Sequence, residues 1–239
     1  MRVYDLEVCF TPRLYPSLAH PDYNVVVIDV LRATSAIATA FEHGLDTMIP
    51  VSTVEEAQEY QKKGFLVGAE RNGEKVEGFD FGNSPYDYMG DNLKGKTSVL
   101  TTTNGTIAID MAKDAKAVIC GAFVNITAVV NWLKARREPV LLLCAGWKGR
   151  YNLEDALFAG AVVKELAFSE GYERVADSAL SVQYLYELAK EDTNKFLMNS
   201  SHRKRLARLN LKEDIRYCLS LDETNVVPIL KDGKLVLAE

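Results

Sequence analysis

The sequence predicts an α/β protein with a largely parallel or mixed sheet, C-terminal helices and a terminal hairpin. Over about the first 170 residues, short apolar runs rich in β-branched residues alternate with longer amphipathic stretches, the rhythm of strand–helix–strand units. Hydrophobic residues make up 48% of the 239 positions and charged residues 26%, which is typical of a folded globular chain. Beyond Gly171 the pattern becomes helical and more charged, so most strands are expected before that point.

The strands are predicted from the length and β-branched content of each apolar run. They are expected at Val3–Phe10, Val25–Leu31, Thr47–Val51, Phe65–Ala69, Thr97–Thr102, Ala117–Cys120 and Val140–Cys144. Each run is far shorter than the roughly 18 apolar residues that a membrane-spanning helix needs. The sequence therefore predicts no membrane segment.

Helices are expected in the gaps between these strands. They are predicted at Thr34–His43, Val54–Lys63, Ile107–Lys113, Ile126–Arg136 and Leu153–Ser169, and after Gly171 at Ser178–Glu191 and within Asn194–Asp214. Thr53 and Glu56 have the spacing of a capping box, which fixes the start of the second helix. The run His202-Arg203-Lys204-Arg205 is interpreted as a solvated helix face, with a ligand-binding patch as the alternative.

The chain ends in a predicted hairpin, Val226–Lys231 and Lys234–Ala238. Its turn is Asp232-Gly233, a pair that favours type I′ geometry. Pro228 cannot donate a ladder hydrogen bond, so its strand is expected at a sheet edge. Since no repeat or low-complexity linker interrupts the sequence, residues 1–239 are expected to form a single domain. A two-lobed organisation with an unknown boundary is the alternative.

Charge and cysteine usage exclude several classes of protein. Twenty-eight Lys and Arg against 33 Asp and Glu give a net charge of −5, which argues against a protein that coats nucleic acid or an anionic membrane. The first residues contain no apolar signal-peptide core, so a cytoplasmic protein is expected. The four cysteines form no C-x-x-C pair, so neither a zinc site nor a redox motif is predicted.

A carboxylate at the end of the second strand is the first candidate for chemistry. Asp29 lies within the apolar run Val25–Leu31, and Arg32, Thr34 and Ser35 follow at the start of the next helix. A buried carboxylate is costly, and ligands of open parallel sheets bind at the carboxyl ends of the strands. Asp29 is therefore a candidate metal ligand or catalytic residue. The alternative is an ion pair with Arg32 and an ordinary helix cap.

A second strand is followed by a similar pair, Glu70 and Arg71, in a glycine-containing turn. Taken alone, a loop salt bridge would explain this pair equally well. Two strand-end carboxylates, Asp29 and Glu70, would together suit a hard divalent cation such as Mg²⁺.

Two polar turns could present hydrogen-bond donors to an anion. Asn83 and Ser84 precede Pro85 at a helix start, and Thr103-Asn104-Gly105-Thr106 follows a predicted strand and opens a helix. The alternatives are an ordinary loop anchored by neighbouring phenylalanines and a threonine-rich strand edge with an Asn-Gly turn.

The glycine loop after Cys144 supplies cations and acids. Lys148 and Arg150 lie in the loop, and Glu154 and Asp155 occupy the first turn of the next helix, where acids are also favoured by the helix dipole alone. Cys144 and Arg150 also fit the C-x₅-R loop of thiolate phosphatases, which leaves a cysteine mechanism open.

Two other patterns are set aside. The stretch 90–97 fits the Walker A expression but precedes a strand, whereas a P-loop must follow one. The histidines at 20, 43 and 202 show no metal-ligand spacing, so no catalytic histidine is expected.

The ordered set of these motifs resembles one known family. It comprises Asp29-Val-Leu-Arg-Ala-Thr, Gly-Ala-Glu70-Arg, Phe-Gly82-Asn-Ser-Pro, Thr-Thr-Asn104-Gly-Thr and Cys144-Ala-Gly with Glu154-Asp155 downstream. Over essentially the whole chain it looks like the ComB-type 2-phosphosulfolactate phosphatases. The resemblance implies an Mg²⁺-dependent enzyme that hydrolyses 2-phosphosulfolactate to 3-sulfolactate and phosphate, a step of coenzyme M biosynthesis.

Together these considerations predict a three-layer α/β/α fold with one site. Asp29, Glu70 and one of Glu154 or Asp155 are expected to converge on Mg²⁺, with either a water or Asp29 as the attacking group. The expected anion ligands are Arg32, Arg71, Lys148 and Arg150, the last also catalytic, with hydrogen bonds from Thr34, Ser35, Asn83, Ser84, Thr103, Asn104, Gly105 and Thr106.

The expected partner is a small anionic phosphoester rather than nucleic acid or membrane, and a homodimer is the default assembly for such enzymes. The main alternative is a non-catalytic module that binds a phosphorylated or sulfonated small acid at the same helix N-termini.

Overall fold

In the computed structural model, which describes residues 3–169 and 171–239, eleven strands form one mixed sheet. The strands are β1 (Asp5–Cys9), β2 (Asn24–Ile28), β3 (Thr47–Pro50), β4 (Leu66–Arg71), β5 (Glu74–Lys75), β6 (Thr97–Thr101), β7 (Ala117–Gly121), β8 (Val140–Cys144), β9 (Arg174–Val175), β10 (Pro228–Lys231) and β11 (Lys234–Leu237). All seven strands expected before residue 171 are present, whereas the two-residue strands β5 and β9 were not predicted.

The helices are α1 (Tyr15–Leu18), α2 (Ala33–Glu42), α3 (Val54–Lys62), α4 (Gly105–Ala112), α5 (Ile126–Arg136), α6 (Leu153–Leu166), α7 (Asp177–Ala189), α8 (Thr193–Phe196), α9 (Ser201–Arg208) and α10 (Lys212–Cys218). Short 3₁₀ segments lie at Pro12–Leu14, Pro85–Tyr88, Asp91–Leu93, Phe123–Asn125 and Leu197–Asn199. Within the described ranges, no helix has both the length and the apolar character needed to cross a membrane.

The order of the strands is β5-β4-β6-β3-β11-β10-β7-β2-β8-β1-β9. Strands β4, β6 and β3 form one parallel block, and β7, β2, β8, β1 and β9 form another. The terminal hairpin joins them, because Ile229 of β10 pairs antiparallel with Ile119 of β7 while Leu235 of β11 pairs with Met48 of β3. The last residues of the chain therefore complete the middle of the sheet.

This position corrects the expectation for Pro228. Its strand β10 is internal, between β11 and β7, and not at an edge. Proline is tolerated because it is the first residue of the strand and the pairing with β7 is made at Ile229. The predicted type I′ turn is supported by positive φ angles of 50° at Asp232 and 75° at Gly233.

Helices cover both faces of the sheet, which confirms the predicted three-layer α/β/α fold. Successive residues of β2 point to opposite faces. Val26 and Ile28 pack in a core that includes Phe158 of α6, and Val25 and Val27 pack in a second core that includes Ile37 of α2. Because β2 is buried on both faces, its sequence is a continuous apolar run rather than an alternating one.

Local signals fixed several element boundaries. Thr53 and Glu56 form the predicted capping box, in which the Thr53 side chain accepts from the Glu56 N–H and the Glu56 carboxylate accepts from the Thr53 N–H. The stretch 90–97 contains a 3₁₀ turn and leads into β6, so it has no P-loop context. The stretch 194–214 is broken into shorter helices, and the Ser200 hydroxyl accepts from the Arg203 N–H at the start of α9.

Candidate active site

A small polar pocket lies where the turns after β2, β4 and β6 meet. Its floor is formed by Asp29, Arg32, Glu70, Asn83 and Asn104, all of them predicted site residues. Its cover is formed by His202, Arg205 and Leu206 of α9, with Trp147 beside them. The pocket measures about 20 Å³, room for about one water molecule. An outer recess of about 420 Å³, lined in part by Ser84, shares Arg32 and Asn83 with it.

Asp29 is held in place at the end of β2 and is only 6% exposed. Its own N–H donates to Thr34 Oγ1 at 3.1 Å, and the Ala33 N–H donates to its carboxylate. The start of α4 approaches so closely that a Cβ on Gly105 would lie 2.9 Å from Asp29 Oδ2 and 2.6 Å from Ala33 Cβ. Glycine at position 105 therefore allows α4 to pack against the Asp29 turn.

The environment of Asp29 disfavours its ionised form. Burial above all, with the carboxylates of Glu70 and Glu154, outweighs the opposite effects of His202 and the Ala33 N–H. The net result is a pKa raised from 3.8 to about 7. The alternative ion pair with Arg32 is not what the structure shows, since the Arg32 guanidinium binds Asp214 at 2.7 Å. Asp29 is thus a carboxylate that additional positive charge would stabilise.

Glu70 is the penultimate residue of β4 and connects two turns of the floor. Its carboxylate accepts from the Thr103 N–H at 3.1 Å, from the Thr103 hydroxyl at 3.2 Å and from the Gly73 N–H. Thr103 therefore positions Glu70 and does not line the pocket. Arg71 donates to the Glu70 carbonyl and to Thr101 Oγ1, so its side chain also points away from the pocket lining.

Glu154 and Asp155 are both buried in the first turn of α6, but their surroundings differ. Asp155 accepts from the N–H groups of Val30 at 3.0 Å and Gly146 at 2.9 Å, and so holds the turns after β2 and β8 together. Burial and the nearby carboxylates of Glu154 and Asp29 raise its pKa well above the ordinary value. Glu154 contacts His202 Nδ1 through Oε1, and its Oε2 is buried with no hydrogen-bond partner among the described residues.

The cover shows that the solvated-face interpretation was wrong for two of its four residues. His202 is 7% exposed and lines the pocket, while the Arg205 guanidinium carbon lies 3.9 Å from the centroid of the Trp147 ring. Lys204 is exposed, as expected. The spacing of His202 and Leu206, one helical turn apart, could have indicated that His202 faces inward with the apolar side of α9.

Several other predicted residues shape the turns without lining the pocket. Thr34 accepts from Asp29, the Ser35 hydroxyl donates to the Val30 carbonyl, and Thr106 Oγ1 accepts from the Thr102 N–H. These short contacts fix the backbone around the floor. These side chains were predicted to donate to a ligand, but they make their hydrogen bonds within the protein instead.

The glycine loop contributes its backbone and Trp147 rather than its cations. The Lys148 N–H donates to Asn104 Oδ1 at 2.8 Å, and the Lys148 ammonium lies 4.7 Å from the Trp147 ring centroid. Arg150 is exposed and pairs with Trp147 through backbone hydrogen bonds. Neither cationic side chain is part of the pocket lining, which removes the geometric support for direct roles of Lys148 and Arg150.

The same geometry argues against a cysteine nucleophile. Cys144 is fully buried at the end of β8, and burial together with the charges of Asp155 and Cys9 raises its pKa well above 9.0. A nucleophilic cysteine needs a lowered pKa and access to the substrate. Cys144 has neither, and its proposed partner Arg150 lies at the surface.

The donor set of the floor fits a hard cation that is only partly held by protein. Within residues 3–169 and 171–239, no three His, Cys, Asp or Glu side chains are already arranged as a metal cage. Mg²⁺ does not need one, because it is usually held by one or two carboxylates with waters and substrate phosphates as the other ligands. Asp29 and Glu70 on the floor and the unpartnered Oε2 of Glu154 are carboxylate oxygens of the required kind.

Comparison with known proteins adds an independent finding. Residues 9–233 match the family model described as 2-phosphosulpholactate phosphatase. Proteins named "Probable 2-phosphosulfolactate phosphatase" from Thermotoga petrophila and Thermotoga maritima are each 44% identical over 216 residues, covering 90% of this chain and 92% of theirs. One of the same name from Caldanaerobacter subterraneus is 40% identical over 214 residues, covering 88% of both chains.

Proposed function

The chain belongs to the 2-phosphosulpholactate phosphatase family, and we propose on that basis that it is an Mg²⁺-dependent phosphatase that hydrolyses 2-phosphosulfolactate to 3-sulfolactate and phosphate. In a cell that makes coenzyme M, this reaction would be a step of its biosynthesis. The observation that carries the proposal is the buried Asp29, whose pKa is raised by burial and by neighbouring carboxylates at the point where strand-end turns converge. A metal ion that binds there with the phosphoester would supply compensating positive charge.

The floor supplies groups that suit phosphoryl transfer. When bound, Mg²⁺ would neutralise charge on the transferring phosphoryl group and acidify an attached water. Asp29 and Glu70 would hold the ion, with Glu154 close enough to act on Asp29. Asn83 lines the pocket with an Oδ1 that is buried and unpartnered among the described residues, so its amide is available to orient a ligand.

Asp29 can serve the reaction in two ways. It would either orient the attacking water or itself attack phosphorus. In the second case the P–O bond to the substrate's C2 oxygen breaks, the protonated alcohol leaves as 3-sulfolactate, and water then hydrolyses the aspartyl phosphate to free phosphate. In both cases the Ala33 N–H and the packing of Gly105 restrict the orientation of its carboxylate. Fixed orientation is what makes a single carboxylate effective in phosphoryl transfer, which depends mainly on positioning and charge neutralisation.

The size of the pocket requires movement of the cover. A space of about 20 Å³ admits one water but not a three-carbon acid that carries a phosphate and a sulfonate. Outward displacement of α9 would join the pocket to the outer recess and admit the substrate. Closure of α9 would then exclude bulk water during the reaction.

The test is phosphate release from 2-phosphosulfolactate by the purified protein, with and without EDTA. We expect turnover that EDTA reduces to background and that excess Mg²⁺ restores. Saturable binding without phosphate release would instead identify a non-catalytic binding module. A parallel assay with 2-phospholactate, which lacks the sulfonate, measures how much the sulfonate contributes to kcat/KM.

A further inference from the structure

Arg205 carries a buried hydrogen-bond donor that the protein leaves without a partner. Its Nη2 is buried and makes no hydrogen bond to the described residues, although the side chain lines the site pocket. Burial lowers the pKa of the guanidinium, while the charges of Glu154 and Glu70 raise it. A desolvated guanidinium N–H with no acceptor costs free energy, so a ligand that accepts from it would be stabilised.

Trp147 holds this guanidinium in a fixed plane. The Arg205 Cζ atom lies 3.9 Å from the ring centroid, the distance of a stacked cation–π contact. The Trp147 turn is in turn closed by backbone hydrogen bonds with Arg150. An arginine whose plane is fixed presents its donors as a rigid fork, the geometry that suits a planar or tetrahedral oxyanion.

The location of Arg205 indicates which part of a substrate it would meet. The carboxylates of the pocket belong to the floor, and the floor's Arg32 is already paired with Asp214, so a phosphoryl group would need an added cation there. Arg205 belongs to the cover and contributes positive charge without a metal. A substrate with a transferring phosphate on the floor would place another anionic group against the cover.

We propose that Arg205, stacked on Trp147, binds a non-transferred oxyanion of the substrate, its carboxylate or its sulfonate, and so sets the preference for multiply anionic phosphoesters. This inference rests on the proposed phosphatase function. It gives the helical region after residue 171 a part in substrate selection. It also implies that binding of the substrate draws α9 onto the floor, because α9 carries Arg205.

The test compares three phosphoesters. These are 2-phosphosulfolactate, 2-phospholactate without the sulfonate, and the phosphate ester of 2-hydroxyethanesulfonate without the carboxylate. We expect Arg205→Gln to lower kcat/KM by about 10- to 100-fold for substrates that retain the bound group and by less than about threefold for the one that lacks it. Arg205→Lys should recover part of the loss, since it keeps the charge but not the fork.

Arg208→Gln is the matched control, because Arg208 is exposed on the same helix. Its kinetics should equal those of the wild type, and thermal unfolding should confirm that all variants fold. If Arg205→Gln lowers kcat/KM only for the two substrates with a sulfonate, Arg205 binds the sulfonate. If it lowers kcat/KM only for the two with a carboxylate, Arg205 binds the carboxylate. An equal loss on all three substrates, or no loss on any, overturns the proposal.

A second readout separates this inference from the proposed function. If the wild-type protein released no phosphate from any of these esters, the function would fail, but titration calorimetry with 3-sulfolactate would still test Arg205. We expect wild-type binding that Arg205→Gln weakens by about 10-fold or more and Arg208→Gln leaves unchanged. Equal binding by wild type and Arg205→Gln, or no binding by the wild type, would overturn the inference.

Discussion

Replacing Asp29 by Asn is expected to lower kcat/KM for phosphate release by about 10³-fold or more. Asn keeps the size of the side chain but removes the negative charge, whether that charge holds the metal, orients water or attacks phosphorus. Burial and neighbouring carboxylates raise the pKa of Asp29 to about 7, so this pocket carboxylate is the one most in need of a bound cation. Steady-state phosphate release at saturating Mg²⁺ measures the effect.

Loss of activity in Asp29→Asn should not come from unfolding. A carboxyl whose folded pKa is about 7, above its ordinary 3.8, opposes folding once it ionises. That cost is absent below about pH 4, grows as the pH rises toward 7 and is complete above it. In metal-free buffer at pH 8 the Asn variant should therefore be at least as stable as the wild type, as judged by thermal unfolding. An Asn variant that is less stable than the wild type at pH 8 but not at pH 5 would contradict this account.

Cys144→Ser gives the opposite expectation and serves as the mechanistic contrast. Since Cys144 is fully buried and its pKa is raised, it packs rather than reacts, and the Ser variant should keep most of the wild-type activity. Cys144→Ala is a second variant, because a buried serine can destabilise a core for lack of a partner. A folded but inactive Cys144→Ser protein, together with wild-type activity that EDTA does not affect, would reinstate the thiolate mechanism.

Local sequence signals were sufficient for most of the fold. The apolar run of β2 and the capping box at Thr53 are determined by residues that are neighbours along the chain. The misplacement of Pro228 arose because the position of a hairpin in a sheet depends on pairing with distant strands. A rule that considers proline within a single strand cannot distinguish an edge strand from an internal strand that begins with proline.

The floor of the site was predicted from the sequence, whereas the cover was not. Asp29, Glu70 and Asn104 could be predicted because each lies at or just after the carboxyl end of a strand, where α/β sheets bind their ligands. That β2 meets β4 and β6 there, although they belong to different parallel blocks of the sheet, could not be predicted. Helical spacing could have indicated that His202 faces inward, but the contacts of His202 and Arg205 could not be predicted. Their partners Glu154 and Trp147 are roughly fifty to sixty residues away in sequence, and the contacts exist only once α9 is folded over the pocket. In isolation a basic run is most simply a solvated surface.

Asp214→Ala is expected to reduce the free energy of unfolding by about 3–5 kcal/mol. Arg32 Nη1 binds Asp214 at 2.7 Å and Nη2 donates to the Gly73 carbonyl at 2.6 Å, and the two paired side chains are 4% and 10% exposed. Removing the carboxylate leaves a buried guanidinium without its counter-charge. Because Asp214 lies on α10 and Arg32 on the floor, the variant should also loosen the attachment of the C-terminal helices.

The size and the cause of this loss can be measured separately. Urea unfolding gives the change in free energy, and Glu213→Ala is the matched control, because Glu213 is an exposed acid in the same helical turn and should cost less than about 0.5 kcal/mol. In the double variant Arg32→Met, Asp214→Ala, the unpaired charge is gone, so the loss should be smaller than that of Asp214→Ala alone. Arg32→Met alone completes the cycle. If the double variant loses as much free energy of unfolding as Arg32→Met and Asp214→Ala combined, the pair does not couple α10 to the floor.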